Sequence, residues 1–66
     1  MNALERYVGT FVILKVDVPA DKRGEVIPSG TRLVVTKLVG EQHFDLEFPG
    51  GRRAASQVHF SKLKTG

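Results

Sequence analysis

Few side chains in this sequence could take part in chemistry, and their spacing limits what they could do. His43 and His59 are the two histidines. Ser61, two residues beyond His59, is the hydroxyl closest in sequence to an imidazole. That spacing has no catalytic meaning by itself, because a nucleophile needs a base that the fold holds against it. Asp45 and Glu47 fall on one side of an extended stretch, roughly 7 Å apart by strand geometry. As general acid and base they would need a cleft, and we read them as a solvated strand face. The two histidines could ligate a metal only if the fold joined them to Asp45 or Glu47, so neither a metal nor a cofactor is expected. There is no Cys, which excludes disulfides and cysteine-ligated zinc. Gly50-Gly51 is not followed by a helix and is no phosphate loop. No catalytic residue emerges, and the sequence reads as a non-enzyme.

Recognition is what remains. Ten Lys and Arg against seven Asp and Glu give a net charge of +3, compatible with nucleic acid without demanding it. Arg52, Arg53, Lys62 and Lys64, with Arg32 and Lys37, would form a basic stripe if the fold gathers them, although Glu41, Asp45 and Glu47 are interleaved nearby. There is no Trp and only one Tyr, so platforms for base stacking and an aromatic groove for Pro-rich peptide are not evident. Phe11 and Ile13 stand out differently, as apolar residues on the polar side of a strand, where they form a contact patch or lie under the N-terminal turn. Protein contact through these residues and a strand edge, including a twofold homodimer, is therefore the leading reading. Binding of nucleic acid by the basic residues is the alternative.

These residues are positioned by an all-β pattern. His43 to Phe48 alternates with period two, placing Phe44, Leu46 and Phe48 on one face. Gly40-Glu41-Gln42 joins it to the β-branched run Thr31 to Val39, and Ser29-Gly30 turns the chain into that run. Before it, Thr10 to Val18 reads as one strand with Val12, Leu14, Val16 and Val18 inward, ended by Pro19. Asp21-Lys22-Arg23-Gly24 is read as the solvated tip of a loop with short extended arms. Asn2 and Glu5 suggest a capped helical turn that Gly9 ends, with Leu4, Tyr7 and Val8 on one side. Phe48-Pro49-Gly50-Gly51 has type II turn chemistry. Arg52 to Val58 follows, with Ala54, Ser56 and Val58 on one face. His59 to Leu63 reads as a 3₁₀ turn burying Phe60 or Leu63, and Thr65-Gly66 should fray.

Sixty-six residues make one domain with a small core, for which Leu14, Val16, Leu33, Val35, Phe44, Leu46 and Val58 are the expected members. No run approaches the ~18 apolar residues of a membrane span, and MNALERYVGTF lacks the plan of a signal peptide. A cytoplasmic protein without membrane contact is expected.

The succession FVILKVDVP, a loop, IPSGTRLVV, FDLEF, a small-residue strand and a closing SKLK resembles the SH3-like barrels of small bacterial proteins of unknown function, and the barrel modules appended to larger enzymes. Gly30-Thr31 matches the Gly-Thr that opens the second strand there. The resemblance covers most of Tyr7 to Lys64 and implies a small SH3-like barrel of about five antiparallel strands, residues 1–66, and no particular activity. The opening LERYVGTFVILKV followed by RGEV is similar to the first motif of the Sm-like proteins, whose second motif has no counterpart here. FDLEF and the strand leading to Val58-His59-Phe60 are similar to the plasmid-encoded type II dihydrofolate reductases. That resemblance implies an oligomeric pore-type reductase, but the Gln and Tyr of the family's pore segment are missing from the corresponding positions.

Overall fold

In the computed structural model, which describes residues 3–65, the chain runs through a 3₁₀ turn η1 (Ala3–Tyr7), β1 (Phe11–Leu14), β2 (Val18–Pro19), β3 (Val26–Ile27), β4 (Arg32–Val39), β5 (His43–Glu47), β6 (Arg53–His59), a 3₁₀ turn η2 (Phe60–Lys62) and β7 (Leu63–Thr65). The class is all-β and antiparallel, as the alternation predicts. Five strands form one sheet in the order β6-β5-β4-β1-β7, and β2 and β3 form a separate two-stranded ribbon. No ladder joins β6 to β7 among the described residues.

The period-two pattern fixes which side is buried. Val12 and Leu14 of β1, Leu33 and Val35 of β4, Phe44 and Leu46 of β5, Val58 of β6 and Leu63 of β7 share one face, joined by Val18 and Ile27 from the ribbon. Leu4 and Tyr7 of η1 pack against this cluster, with the Tyr7 ring edge-on to Phe44 at 6.3 Å. Gly9 ends η1 at a φ of 88°, a conformation that costs a residue with a Cβ dearly. The capping residue read at Asn2 lies outside the described residues. Val8, grouped with Leu4 and Tyr7 in the sequence, is instead exposed.

Two expectations about strands fail for one reason, which is that backbone bends reset the alternation. Thr10 to Val18 is not one strand. The chain leaves the sheet after Leu14, whose carbonyl accepts from the Gly30 N–H, while the Lys15 N–H donates to the Lys62 carbonyl. Val16 therefore sits on a bend with 46% exposure and is not core, whereas Val18 is buried again in the ribbon. In β6 the alternation breaks because Ser56 and Gln57 both face the single residue Asp45, between the pairs Phe44↔Val58 and Leu46↔Ala55. A second shift, before Glu47↔Arg53, adds Ala54 as an extra residue. Ala54 and Ala55 are consequently both buried and Ser56 is exposed. Such bulges kink and twist the strand that carries them.

The turns follow their sequence chemistry. Gly51 N–H donates to the Phe48 carbonyl at 3.0 Å with Gly50 at positive φ, and Thr31 N–H donates to the Pro28 carbonyl with Gly30 at positive φ. Of the two residues expected to be buried there, Leu63, which follows η2 and opens β7, is buried, and Phe60 of η2 is 40% exposed. Thr65, expected to fray, is paired with Val12 in the ladder; Gly66 lies outside the described residues.

Leu46 is 1% exposed, so Leu46→Ala should cost about 2 to 5 kcal/mol, a large part of the ~5 to 15 kcal/mol that holds a domain folded. Urea unfolding measures this directly. A variant melting within a degree or two of the wild type would place Leu46 outside the core.

Candidate functional site

The six residues singled out for partner binding separate into three places. Phe11, Ile13 and Lys64 come together on the outer face of the five-stranded sheet, because Ile13 is paired with Lys64 on one side and Arg32 on the other and cross-strand partners share a face. Arg52 and Arg53 lie at the β5–β6 turn, beside the tip of the ribbon. Lys62 is on η2 and exposed. The sheet order puts β6 and β7 on opposite edges, so the ladder does not assemble a single stripe from Arg53 and Lys64.

On the outer face, Phe11 pairs with Val34, and Val34 with Glu47. Phe11 is 40% exposed and carries the Arg32 guanidinium 3.9 Å from its ring centroid, a cation–π contact of short range. The patch is thus Phe11, Ile13 and Val34, with Arg32 and Lys64 at one end and, toward the other, Glu47 in register with Arg53 and Asp45 in register with Lys37. η1 does not cover it. Leu4 and Tyr7 pack against the core cluster that includes Val12, and Val12 points to the face opposite Phe11 and Ile13.

The ribbon tip, Asp21 to Gly24, is exposed as expected and is in addition fastened at Asp21. Asp21 N–H donates to the Ala54 carbonyl at 2.9 Å, its Oδ2 accepts from the Ser56 hydroxyl at 2.7 Å, and Arg53 Nε is 3.6 Å from the same oxygen. Lys22 and Glu25 form an exposed pair at 3.5 Å. Between this tip and the turn before β6 runs a groove that contains Phe48, half-buried, with the Arg52 guanidinium carbon 4.9 Å from its ring centroid.

Asp45 is not a free carboxylate on a wet face either. Its Oδ1 accepts the Gln57 N–H at 3.1 Å, and its carbonyl accepts the Thr36 hydroxyl at 3.2 Å. Among the described residues Gln57 is the one non-glycine with positive φ, at 52°. Thr36 is itself the extra residue where the β4–β5 register shifts, so Asp45 sits opposite both bulges and braces them. Nothing in the spacing of Asp45 and Gln57 announces this.

His43 and His59 are cross-strand partners with ring centroids 5.1 Å apart, edge to face. His59 caps η2: its Nδ1 accepts the Ser61 N–H at 3.1 Å and lies 2.8 Å from the Ser61 hydroxyl, while Nε2 is 3.2 Å from Gln42 Oε1. Because the Ser61 N–H can only donate, Nδ1 must be an acceptor and the ring proton belongs on Nε2, donated to Gln42. The two-residue spacing that has no catalytic meaning is the spacing of a cap. Among the described residues no three His, Cys, Asp or Glu side chains are grouped to hold a metal, and no helix is long and apolar enough to cross a membrane.

Asp45→Ala should cost roughly 1.5 to 3 kcal/mol, the range for a hydrogen bond to a charged group, and Asp45→Asn should recover most of it because its oxygen still accepts the Gln57 N–H. The comparison is made in urea with the slope checked for constancy. Equal losses in both variants would remove the brace as the cause. The chain matches no protein-family model, no curated protein and no solved structure.

Proposed function

We propose that this chain, an SH3-like scaffold in plan, is a small non-catalytic assembly module of the cytoplasm that pairs with a second copy, outer sheet face to outer sheet face. The observation that carries this reading is the patch of Phe11, exposed, with Ile13 and Val34, half-buried, over which no described element packs. Arg32 and Lys64 flank the patch at one end, and at the other Glu47 and Asp45 stand in register with Arg53 and Lys37, so the charges around it are mixed and do not repel a second copy. A twofold axis through the patch sets the same surface of each copy against the other, which is what an isologous interface requires.

The strand edges support the face over edge pairing. β6 carries two bulges, and β7 is three residues long with Lys64 in its middle. Bulges, shortness and lysine are the devices by which edges are kept from pairing with another chain. Burying the patch removes apolar area from water at about 25 cal/mol per Å², and a core as small as this one has the most to gain.

Light scattering on the wild type and on a Phe11→Ser, Ile13→Ser variant tests the proposal. The wild type should run at twice the chain mass at high protein concentration and dissociate on dilution, and the variant should stay at the chain mass while keeping its far-UV circular dichroism. A wild type that stays monomeric at high concentration overturns self-assembly. A variant that still dimerises moves the interface elsewhere.

A further inference from the structure

The groove between the ribbon tip and the β5–β6 turn lies apart from the dimer patch and stands or falls independently of it. Its volume is about 460 Å³, within the range of ~300 to 1,000 Å³ typical of ligand sites. We propose that it binds single-stranded nucleic acid, with backbone phosphates against Lys22, Arg52 and Arg53 and a base stacked at Phe48.

Charge is the first argument. The groove is lined by Lys22, Arg52 and Arg53 against Asp21 and Glu25, three basic residues less two acidic, or +1, with Arg23 on the exposed tip beside it. The two acids lower the field of the groove, but the pairs they make with Lys22 and Arg53 are weak enough for a phosphate to compete for the cations. Lys22 and Arg53 have side chains 79% and 77% exposed in their pairs with Glu25 and Asp21, and exposed pairs of this kind contribute little. Asp21 is in addition committed to Ser56 and to the Ala54 carbonyl through its own N–H. Arg52 has no carboxylate partner among the described residues; its guanidinium rests over Phe48.

The aromatic is the second argument. Basic side chains alone would fit any polyanion, but a basic groove with a ring in it is the arrangement by which proteins hold single strands, phosphates on the cations and a base on the ring face. Phe48 is half-buried and packs against the core cluster, which fixes the ring, and the exposed Arg52 lies over it, so a base must displace the guanidinium, which is then free to turn to the adjoining phosphate. A flexible single strand can present a base this way. A duplex keeps its bases stacked and offers only phosphates.

Fluorescence anisotropy with a labelled oligothymidylate of about 10 nucleotides, titrated between roughly 20 and 200 mM salt, tests the site. Three phosphate contacts predict a slope of log K against log salt near −2, at about 0.7 per phosphate for a single strand, so affinity falls about a hundredfold over that range. Arg52→Gln and Lys22→Gln should each flatten the slope by about 0.7, Lys64→Gln on the far surface should not, and an abasic strand of equal charge should bind several-fold more weakly. Absence of binding at low salt overturns the proposal, as does a slope that Lys64→Gln changes and Arg52→Gln does not. Equal binding of the abasic strand, or equal competition by a glutamate-rich peptide of the same charge, reduces the groove to a general anion surface and overturns it too. Competition by thymidine monophosphate at the oligonucleotide's own concentration overturns the strand in favour of the free nucleotide.

Discussion

The double bulge in β6 is the constraint on which the rest of the architecture depends. A 66-residue chain has too little material to cover a flat five-stranded sheet, so the sheet must bend around its own core. The bend is made where Ser56 and Gln57 face Asp45 alone and where Ala54 is inserted beside it. Gln57 at positive φ is a conformation that most residues with a Cβ avoid by roughly 1 to 2 kcal/mol, and the hydrogen bond from its N–H to the Asp45 carboxylate offsets that cost. The outcome is two consecutive small residues, Ala54 and Ala55, both in the core, which a regular strand cannot achieve.

That bend also decides where the molecule can meet others. Because β6 is kinked, its free edge is a poor template for a further strand. Ala54 presents its carbonyl to Asp21 instead, and the ribbon tip is drawn over the edge. Covering the edge creates the groove in the same stroke, since the tip brings Lys22 and Glu25 to face Phe48 and Arg52 across it. Meanwhile no described element packs on the outer face of β1 and β4, as η1 is spent on the open side of the core. One surface is thus built by a closure and the other is left by it.

How much of this was legible follows from the same distinction. Alternation in FDLEF, the Pro-Gly and Ser-Gly turns and the β-branched central run are local signals, and they located β4, β5, the Phe48 to Gly51 corner, η2 and six of the seven expected core residues. Val16 failed because its exposure is set by the Gly30 N–H and the Lys62 carbonyl, groups distant in sequence that pull the chain out of the sheet after Leu14. The faces of β6 failed because a bulge has no strong signature in one sequence when the residue in the left-handed region is Gln rather than Gly. Of the proposed contact residues, Phe11 and Ile13 were legible as apolar residues on the wrong side of a strand. The roles of Asp21 and Asp45 were not, since each joins segments whose proximity only the fold creates.

Arg52 and Arg53 show why a count of charges is a weak guide to a binding surface. They are adjacent in sequence, at the start of an edge strand, yet they take up different contacts: Arg53 turns to Asp21, and Arg52 to the Phe48 ring. Both contacts lie on the walls of one groove, so two divergent side chains still contribute to a single local field. Lys62 and Lys64, two positions apart, do not behave likewise, because Lys62 belongs to η2 and Lys64 to the outer sheet face beside Ile13. A net charge of +3 spread evenly over the surface would be nearly invisible beyond a Debye length of about 8 to 10 Å. With Arg52, Arg53 and Lys22 on the walls of one groove, part of it acts at the range over which a phosphate makes contact.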